Sequence, residues 1–308
     1  MSKGKYTSIG GQALIEGIMM RGAEKTAMAV RKPDGEIEIK YLEFTPIAKK
    51  HKILGLPIIR GVVSYIEAML WGYKSLMLSA EISGFAEDEG EKPTSAAMNA
   101  IMAVASVLAV ILSVFLFMWL PAFIFDNINH LLGAAITPLK ALFEGILRLI
   151  ILVAYMLAVS RMPDIKRVFM YHGAEHKTIF CFEAGEELTP ENAAKQKRLH
   201  PRCGTSFLIL MVLVSIVISS VITIFFPALT KIRILWVAIK ILLIPLICGL
   251  GYELIKICGR YDNLFTRIIS APGMWLQKIT TKEPSADMLE IAIAALKAVL
   301  PEQEAENE

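Results

Sequence analysis

Residues 206–229 read SFLILMVLVSIVISSVITIFFPAL, with no Asp, Glu, Lys or Arg among them. A helix needs about 20 residues to cross the apolar core of a bilayer. This run is too long and too uniformly apolar to be an ordinary core helix, which would show a polar face. Three further runs have comparable length: 98–125, 138–159 and 232–257. The expected fold is therefore a mainly α-helical membrane protein with about four transmembrane helices. The whole chain of 308 residues agrees, being 55% hydrophobic and only 20% charged, with a mean hydropathy of +0.54.

The charges inside these runs are few. Glu144 and Arg148 lie one helical turn apart in the second and can pair. Lys240 sits near the middle of the fourth and Glu253 near its end. Charges at such depth suggest a transport path, the weakest of the functional readings, since two of them can pair locally and the others sit where they could snorkel.

Orientation follows from where Lys and Arg fall around the spans. The segment before the first span is rich in both, as is 161–202, with Lys166, Arg167, Lys177, Lys195, Lys197 and Arg198. The tail after the fourth carries Arg260, Arg267, Lys278 and Lys282, whereas 126–137 carries none. Both termini and the central loop are expected on the cytoplasmic side of a multi-pass cell-membrane protein. The N-terminal MSKGKYTSIGGQALIEG lacks an apolar core of signal-peptide length. A net charge of +3 gives no reason to expect a nucleic-acid partner. The expected partner is the lipid bilayer, with a membrane protein or a second copy of the chain as further options. The four cysteines do not form a disulfide framework.

These boundaries divide the chain into a β-rich N-terminal region (1–57), an amphipathic or partly inserted helix with a linker (58–97), spans one and two (98–160), a His/Cys loop (161–205), spans three and four (206–257) and a tail (258–308). In 58–82 the charges Arg60, Glu67, Lys74 and Glu81 recur every seven residues, near one side of a helix. Such a helix either lies in the membrane interface or packs with its charges inward. Residues 287–300 form a shorter amphipathic helix that packs.

The loop 161–205 carries the chemistry. It contains PDIKRVFMYHGAEHKT, with Asp164 placed to cap a helix after Pro163. On that helix His172 and His176 share a face and can chelate one ion. HPRCGT supplies His200 and Cys203. Four such ligands make a closed structural zinc site; three plus an exogenous group make an open one. Isolated histidines are more often packing residues, but two chelating pairs in one loop point to zinc or another divalent transition metal. HGAEH also fits the H-x-x-E-H order of one metallopeptidase class, in which Glu175 would be the general base. Cys181 and Glu183 could contribute if the following residues turn back.

Lys177–Phe182 reads as a short strand turning at Ala184–Glu186. Lys25–Val30 reads as another, turning at Pro33–Gly35 and returning through Ile37, Ile39 and Tyr41. MMRGAEKT from Met19 and MYHGAEHKT from Met170 align with one gap, and Thr45-Pro46 then matches Thr189-Pro190. This suggests an internal duplication whose two strand pairs form one small sheet. The first copy would offer Arg21, Glu24 and Lys25 in place of the histidines. The expected whole is a small cytoplasmic α+β unit on about four transmembrane helices.

IGGQALIEGIMMRG, YHGAEHKTIFCFEAGE and RLHPRCGTSF together resemble the YqhQ family of uncharacterised bacterial multipass membrane proteins, over roughly residues 9–267. Members are commonly labelled predicted metal-dependent enzymes. The resemblance implies a metal at His172, His176, His200 and Cys203. It also draws attention to Gly10, Gly11, Gln12 and Glu16, with Arg21, Glu24, Lys177 and Arg202 as neighbouring candidates. GGQALIEG reads as a strand and turn against the HGAEHK unit, with Glu16 either a buried acid or paired with Arg21. Three functions follow as expectations: a metal-dependent hydrolase using Glu175; a non-enzymatic scaffold or regulatory subunit with a closed structural metal site; and a transporter.

Overall fold

The structure is a computed structural model that describes residues 7, 9–43, 52–85, 95–133, 135–201, 203–261 and 263–301. It begins with a four-stranded antiparallel meander: β1 (Gly10–Leu14), β2 (Gly17–Arg21), β3 (Thr26–Arg31) and β4 (Ile37–Tyr41), in that order across the sheet. β1 and β2 pair with Leu14 opposite Gly17, so Ile15 and Glu16 alone make the turn. A two-residue hairpin turn calls for positive φ, and Glu16 supplies it at 48°.

Eleven helices follow among the described residues. α1 (Ile59–Ile82) is followed by α2 (Ser95–Val114), which runs through a π-helical turn at Phe115–Trp119 into α3 (Leu120–Leu131). Next come α4 (Lys140–Val159), α5 (Pro163–Ala184) and the short α6 (Pro190–Lys195). α7 (Gly204–Phe225), α8 (Arg233–Leu242) and α9 (Ile244–Arg260) precede α10 (Leu264–Thr280) and α11 (Ala286–Lys297).

Among the described residues three stretches are long and apolar enough to cross a membrane: Ala103–Leu131, Thr137–Val159 and Gly204–Phe225. A fourth is available if α8 and α9 form one span, but that span is broken, with a bend of 46°. Pro245, at the start of α9, cannot donate the hydrogen bond that would join the two helices.

β3 is buried at five successive positions, Thr26–Val30, because the sheet is covered on both faces. One face carries Ile18, Met20, Ala27 and Ala29 into a core with Tyr171, Ala174 and Cys181 of α5 and Met288, Ile291, Ala292 and Leu296 of α11. The other face presents Leu14, Met28 and Val30 to Leu76, Leu78 and Ile82 of α1. The tail helix thus packs, as expected, and closes an α+β unit whose parts lie at both ends of the chain.

α1 meets both readings of its charges. Arg60 pairs bidentately with Glu253 of α9, at 2.7 and 2.5 Å, and Glu67 is buried. Lys74 and Glu81 are exposed. Its inner face is otherwise small: Gly61, Gly72, Ser75, Ser79 and Ala80. Its outer face shows Ile66, Met69, Leu70, Tyr73 and Met77. The charges within the apolar helices are paired across the bundle. Lys240 and Trp236 both bond Glu144, and Arg148 stands 3.6 Å from it. Arg148 Nε donates to the carbonyl of Phe117 at 2.7 Å, inside the π-helical turn. Lys240 and Glu253 are thus each met by a partner of opposite charge.

Several expectations are corrected. Lys177–Phe182 is not a strand: α5 continues through it and ends at Gly185, whose φ of +69° breaks the helix in the left-handed conformation. β-branched and aromatic residues favour strands, but here Thr178, Ile179, Cys181 and Phe182 are all buried, Ile179, Cys181 and Phe182 in the core shared with the sheet and α11, and packing decides. The sheet accordingly contains only N-terminal strands. The duplication fails for the same reason. Gly22–Lys25 is a turn between strands, whereas Gly173–Lys177 is mid-helix. Thr45 and Pro46, part of that alignment, lie outside the described residues. Met162, not Asp164, is the N-cap of α5; Pro163 and Asp164 open its first turn.

Candidate metal centre

α5 carries His172 and His176 one turn apart, with rings 4.5 Å between centroids and 64° between planes. The Nδ1–H of His172 donates to the Thr280 carbonyl at the end of α10, at 2.8 Å. The Nδ1–H of His176 donates to the Arg198 carbonyl at 2.5 Å. A carbonyl only accepts, so both partners fix the tautomer and put the lone pair of each ring on Nε2. Backbone acceptors on Nδ1 with Nε2 presented are the usual outer support of metal-binding histidines.

Cys203 is brought to them as the N-cap of α7, its Sγ accepting from the Thr205 N–H at 3.5 Å. Sγ lies 3.1 Å from His172 Nε2. Ligands around a tetrahedral zinc with ordinary bond lengths stand about 3.5 Å apart. The donor atoms of His172, His176 and Cys203 all fall within 4.8 Å of one another, a group able to hold a metal ion. His176 and Cys203 are buried and His172 half-buried.

His200 stands beside this trio. Its ring centroid is 5.5 Å from that of His176 and 4.6 Å from Phe180, and its Nε2 is 4.0 Å from Glu183. Its backbone is clamped by Gln277, which accepts from the His200 N–H and donates to its carbonyl, both at 2.8 Å. Glu183 also accepts from the N–H and hydroxyl of Thr7, at 3.2 and 2.9 Å.

Glu175 points to the sheet. It accepts the Gly11 N–H at 3.1 Å, and burial holds its carboxyl above the usual range, opposed by His172 and by that hydrogen bond. Gly11 permits the approach, since a Cβ there would stand 3.0 Å from the Glu175 carboxyl carbon and 2.7 Å from the Met19 carbonyl. Gln12 is similarly laid against Gly72, where a Cβ would meet its amide at 2.5 Å. The strand and turn read in GGQALIEG thus do pack against α5.

The remaining candidates serve elsewhere. Glu16 makes a bidentate pair with Arg167, both contacts 2.5 Å, and accepts from Tyr171 Oη at 3.1 Å. That overturns the pairing with Arg21. Arg21, exposed at the end of β2, instead faces Glu67 and Tyr252. Glu24 is exposed in the β2–β3 turn. Lys177 is buried and bonds the Ala194 carbonyl at 2.7 Å and Glu283 at 2.5 Å, tying α5 to α6 and the tail. Arg202 lies outside the described residues. Cys181 is buried, with Sγ 3.5 Å from the Glu187 carbonyl.

What the motif reading missed is α10. Thr280 orients His172, and Gln277 holds the His200 loop. The signal was available: Thr266, Ser270, Gly273, Gln277 and Thr280 recur at spacings of four and three, and all are buried. Gly273 lets α10 close on α7, where a Cβ would meet Ser206 at 2.6 Å.

Residues 56–302 match the family described as "Protein of unknown function (DUF1385)". The chain is 33% identical to the uncharacterized protein YqhQ of Bacillus subtilis (strain 168), over 97% of this chain and 95% of that one. No solved structure matches it. The chain belongs to the DUF1385 family and is a relative of YqhQ.

Proposed function

We propose that this member of the family is a multi-pass cell-membrane protein with a zinc-type centre, held by His172, His176 and Cys203, at the cytoplasmic ends of its spans. The carrying observation is the pair of imidazoles whose Nδ1 atoms are both occupied by backbone carbonyls, with a thiol 3.1 Å from one Nε2. The distribution of Lys and Arg supports placing the α+β unit and both termini in the cytoplasm. The bilayer is the partner that the exposed apolar helices call for.

The reading we favour is a metal-dependent hydrolase. Three protein donors leave a tetrahedral ion one further position, which is the catalytic pattern. A cavity of 660 Å³ reaches His200, beside His176. A bound ion would supply Lewis acidity. In this reading Glu175, three residues after His172, would be the proton carrier; it is buried on the Gly11 N–H, so it would have to turn from the sheet toward the ion. A second reading, a structural metal site in a non-enzymatic scaffold, draws support from the burial of His176 and Cys203 and from His200, whose ring centroid is 5.5 Å from that of His176. The charges that suggest a transporter are accounted for by the Glu144–Lys240–Arg148 and Arg60–Glu253 pairs.

Elemental analysis of detergent-purified protein tests the centre. About one transition ion per chain is expected in the wild type, lost in His172→Ala/His176→Ala. No ion after reconstitution with zinc, iron or manganese sinks the proposal. His200→Ala then separates the readings: it keeps the metal in an open site and loses it in a closed one.

A further inference from the structure

α10 is built inside out. Its buried face is small and polar, while Leu264, Phe265, Ile268 and Trp275 are 75%, 61%, 62% and 67% exposed. An apolar face of that size on water is unfavourable, whereas at a bilayer interface it is the side that inserts. Its capping box, closed by Asn263 and Thr266, fixes where the helix starts, immediately after the end of α9. Through its buried face α10 packs against α7, a candidate span, where a Cβ on Gly273 would meet Ser206.

The 660 Å³ cavity lies between this helix, the end of α9 and the His200 loop. Three cations line it: Arg260 from the end of α9, and Arg267 and Lys278 from α10. One carboxylate does so, Glu183, and Thr7 already donates two hydrogen bonds to it. Among the described residues no carboxylate comes within ion-pair distance of Arg260 or Lys278. Tyr261 and Trp275, apolar bodies with polar tips, stand at the same rim. Cations, interfacial aromatics and an adjoining apolar helix face are the chemistry that receives a phosphate carried on acyl chains.

We propose that this cavity binds the phosphate headgroup of an anionic bilayer lipid, with α10 lying in the membrane interface and the acyl chains running along its exposed face. The inference rests on the membrane reading above. If the centre beside His200 is catalytic, it makes a phosphate-bearing lipid the substrate class.

Native mass spectrometry of the full chain in detergent, with equal amounts of phosphatidylglycerol and phosphatidylcholine, tests it. Phosphatidylglycerol is expected to be retained in clear excess. That excess should fall about fivefold per charge removed in Arg260→Gln, Arg267→Gln and Lys278→Gln, singly and combined, with metal content unchanged. Lys278→Gln, at an exposed site, keeps the test open if the combined variant misfolds. Equal retention of the two lipids, or an excess untouched by these variants, overturns the proposal. Displacement of the lipid by glycerol phosphate at equal concentration also overturns it, assigning the cavity to a soluble ester. Lipid preference without metal leaves this inference standing and removes the metal centre; metal without lipid preference does the reverse.

Discussion

Glu144 is the carboxylate on which the helix bundle's interior charges depend. It receives Lys240 and the Trp236 indole, with Arg148 nearby, and almost none of its surface is exposed. A buried ion pair gains little over an apolar isostere, but removing one member leaves an uncompensated charge. Glu144→Gln is therefore expected to cost about 3–5 kcal/mol, read as a lower thermal unfolding midpoint in detergent. A midpoint unchanged from wild type would mean that Lys240 finds another partner. The pair Glu16–Arg167 is a different case, being partly exposed, so its geometry outranks its energy. Its effect is to hold a non-glycine residue at positive φ in the β1–β2 turn, against α5.

At the scale of elements, α5 and its neighbours position the site. Gly173 lets the chain after α10 cross α5 closely: a Cβ there would stand 2.0 Å from the Lys282 carbonyl, whose N–H bonds the Phe169 carbonyl at 2.8 Å. Gly173→Ala must push that segment away and should cost about 3 kcal/mol. Gly204→Ala, with nothing within 4 Å, is the matched control and should be near neutral. Urea unfolding of the two variants beside wild type checks the contrast. α5 also shows how far the sequence was legible. Pro163 marks its start, although the cap is Met162. Its His172/His176 face follows from periodicity. Its second half does not, because Lys177–Phe182 has the composition of a strand and becomes helical only through burial against the sheet and α11. The same tripeptide Gly-Ala-Glu is a turn at Gly22 and helix at Gly173, so identity of sequence carried no identity of structure.

For the whole molecule, the candidate centre sits where the α+β unit meets the apolar helices. α5 brings two ligands, the N-terminus of α7 the third, and α10 the carbonyl that orients His172. Under our proposal a bound ion cross-links these three helices. Chelation should then raise amide hydrogen exchange around 169–176 and 198–206 while leaving β1–β4 protected, since the sheet has its own core. Uniform loosening across the chain would instead mean that the ion supports the global fold, and no change would argue against a centre here.

The sequence by itself determined the long apolar helices, the β3–β4 hairpin, the packing tail helix, the Glu144–Arg148 pair and the shared helix face of His172 and His176. Each rests on interactions local in the chain, where period and spacing suffice. It also placed Cys203 in the right loop. Only the tertiary structure decided that Cys203 meets His172, that His200 turns beside the trio, that Lys240 crosses to Glu144, and that α10 is an organising helix. Those depend on which surfaces meet across long separations, as between Gly11 and Glu175 or His172 and Thr280. No periodicity encodes such meetings; close packing between elements does.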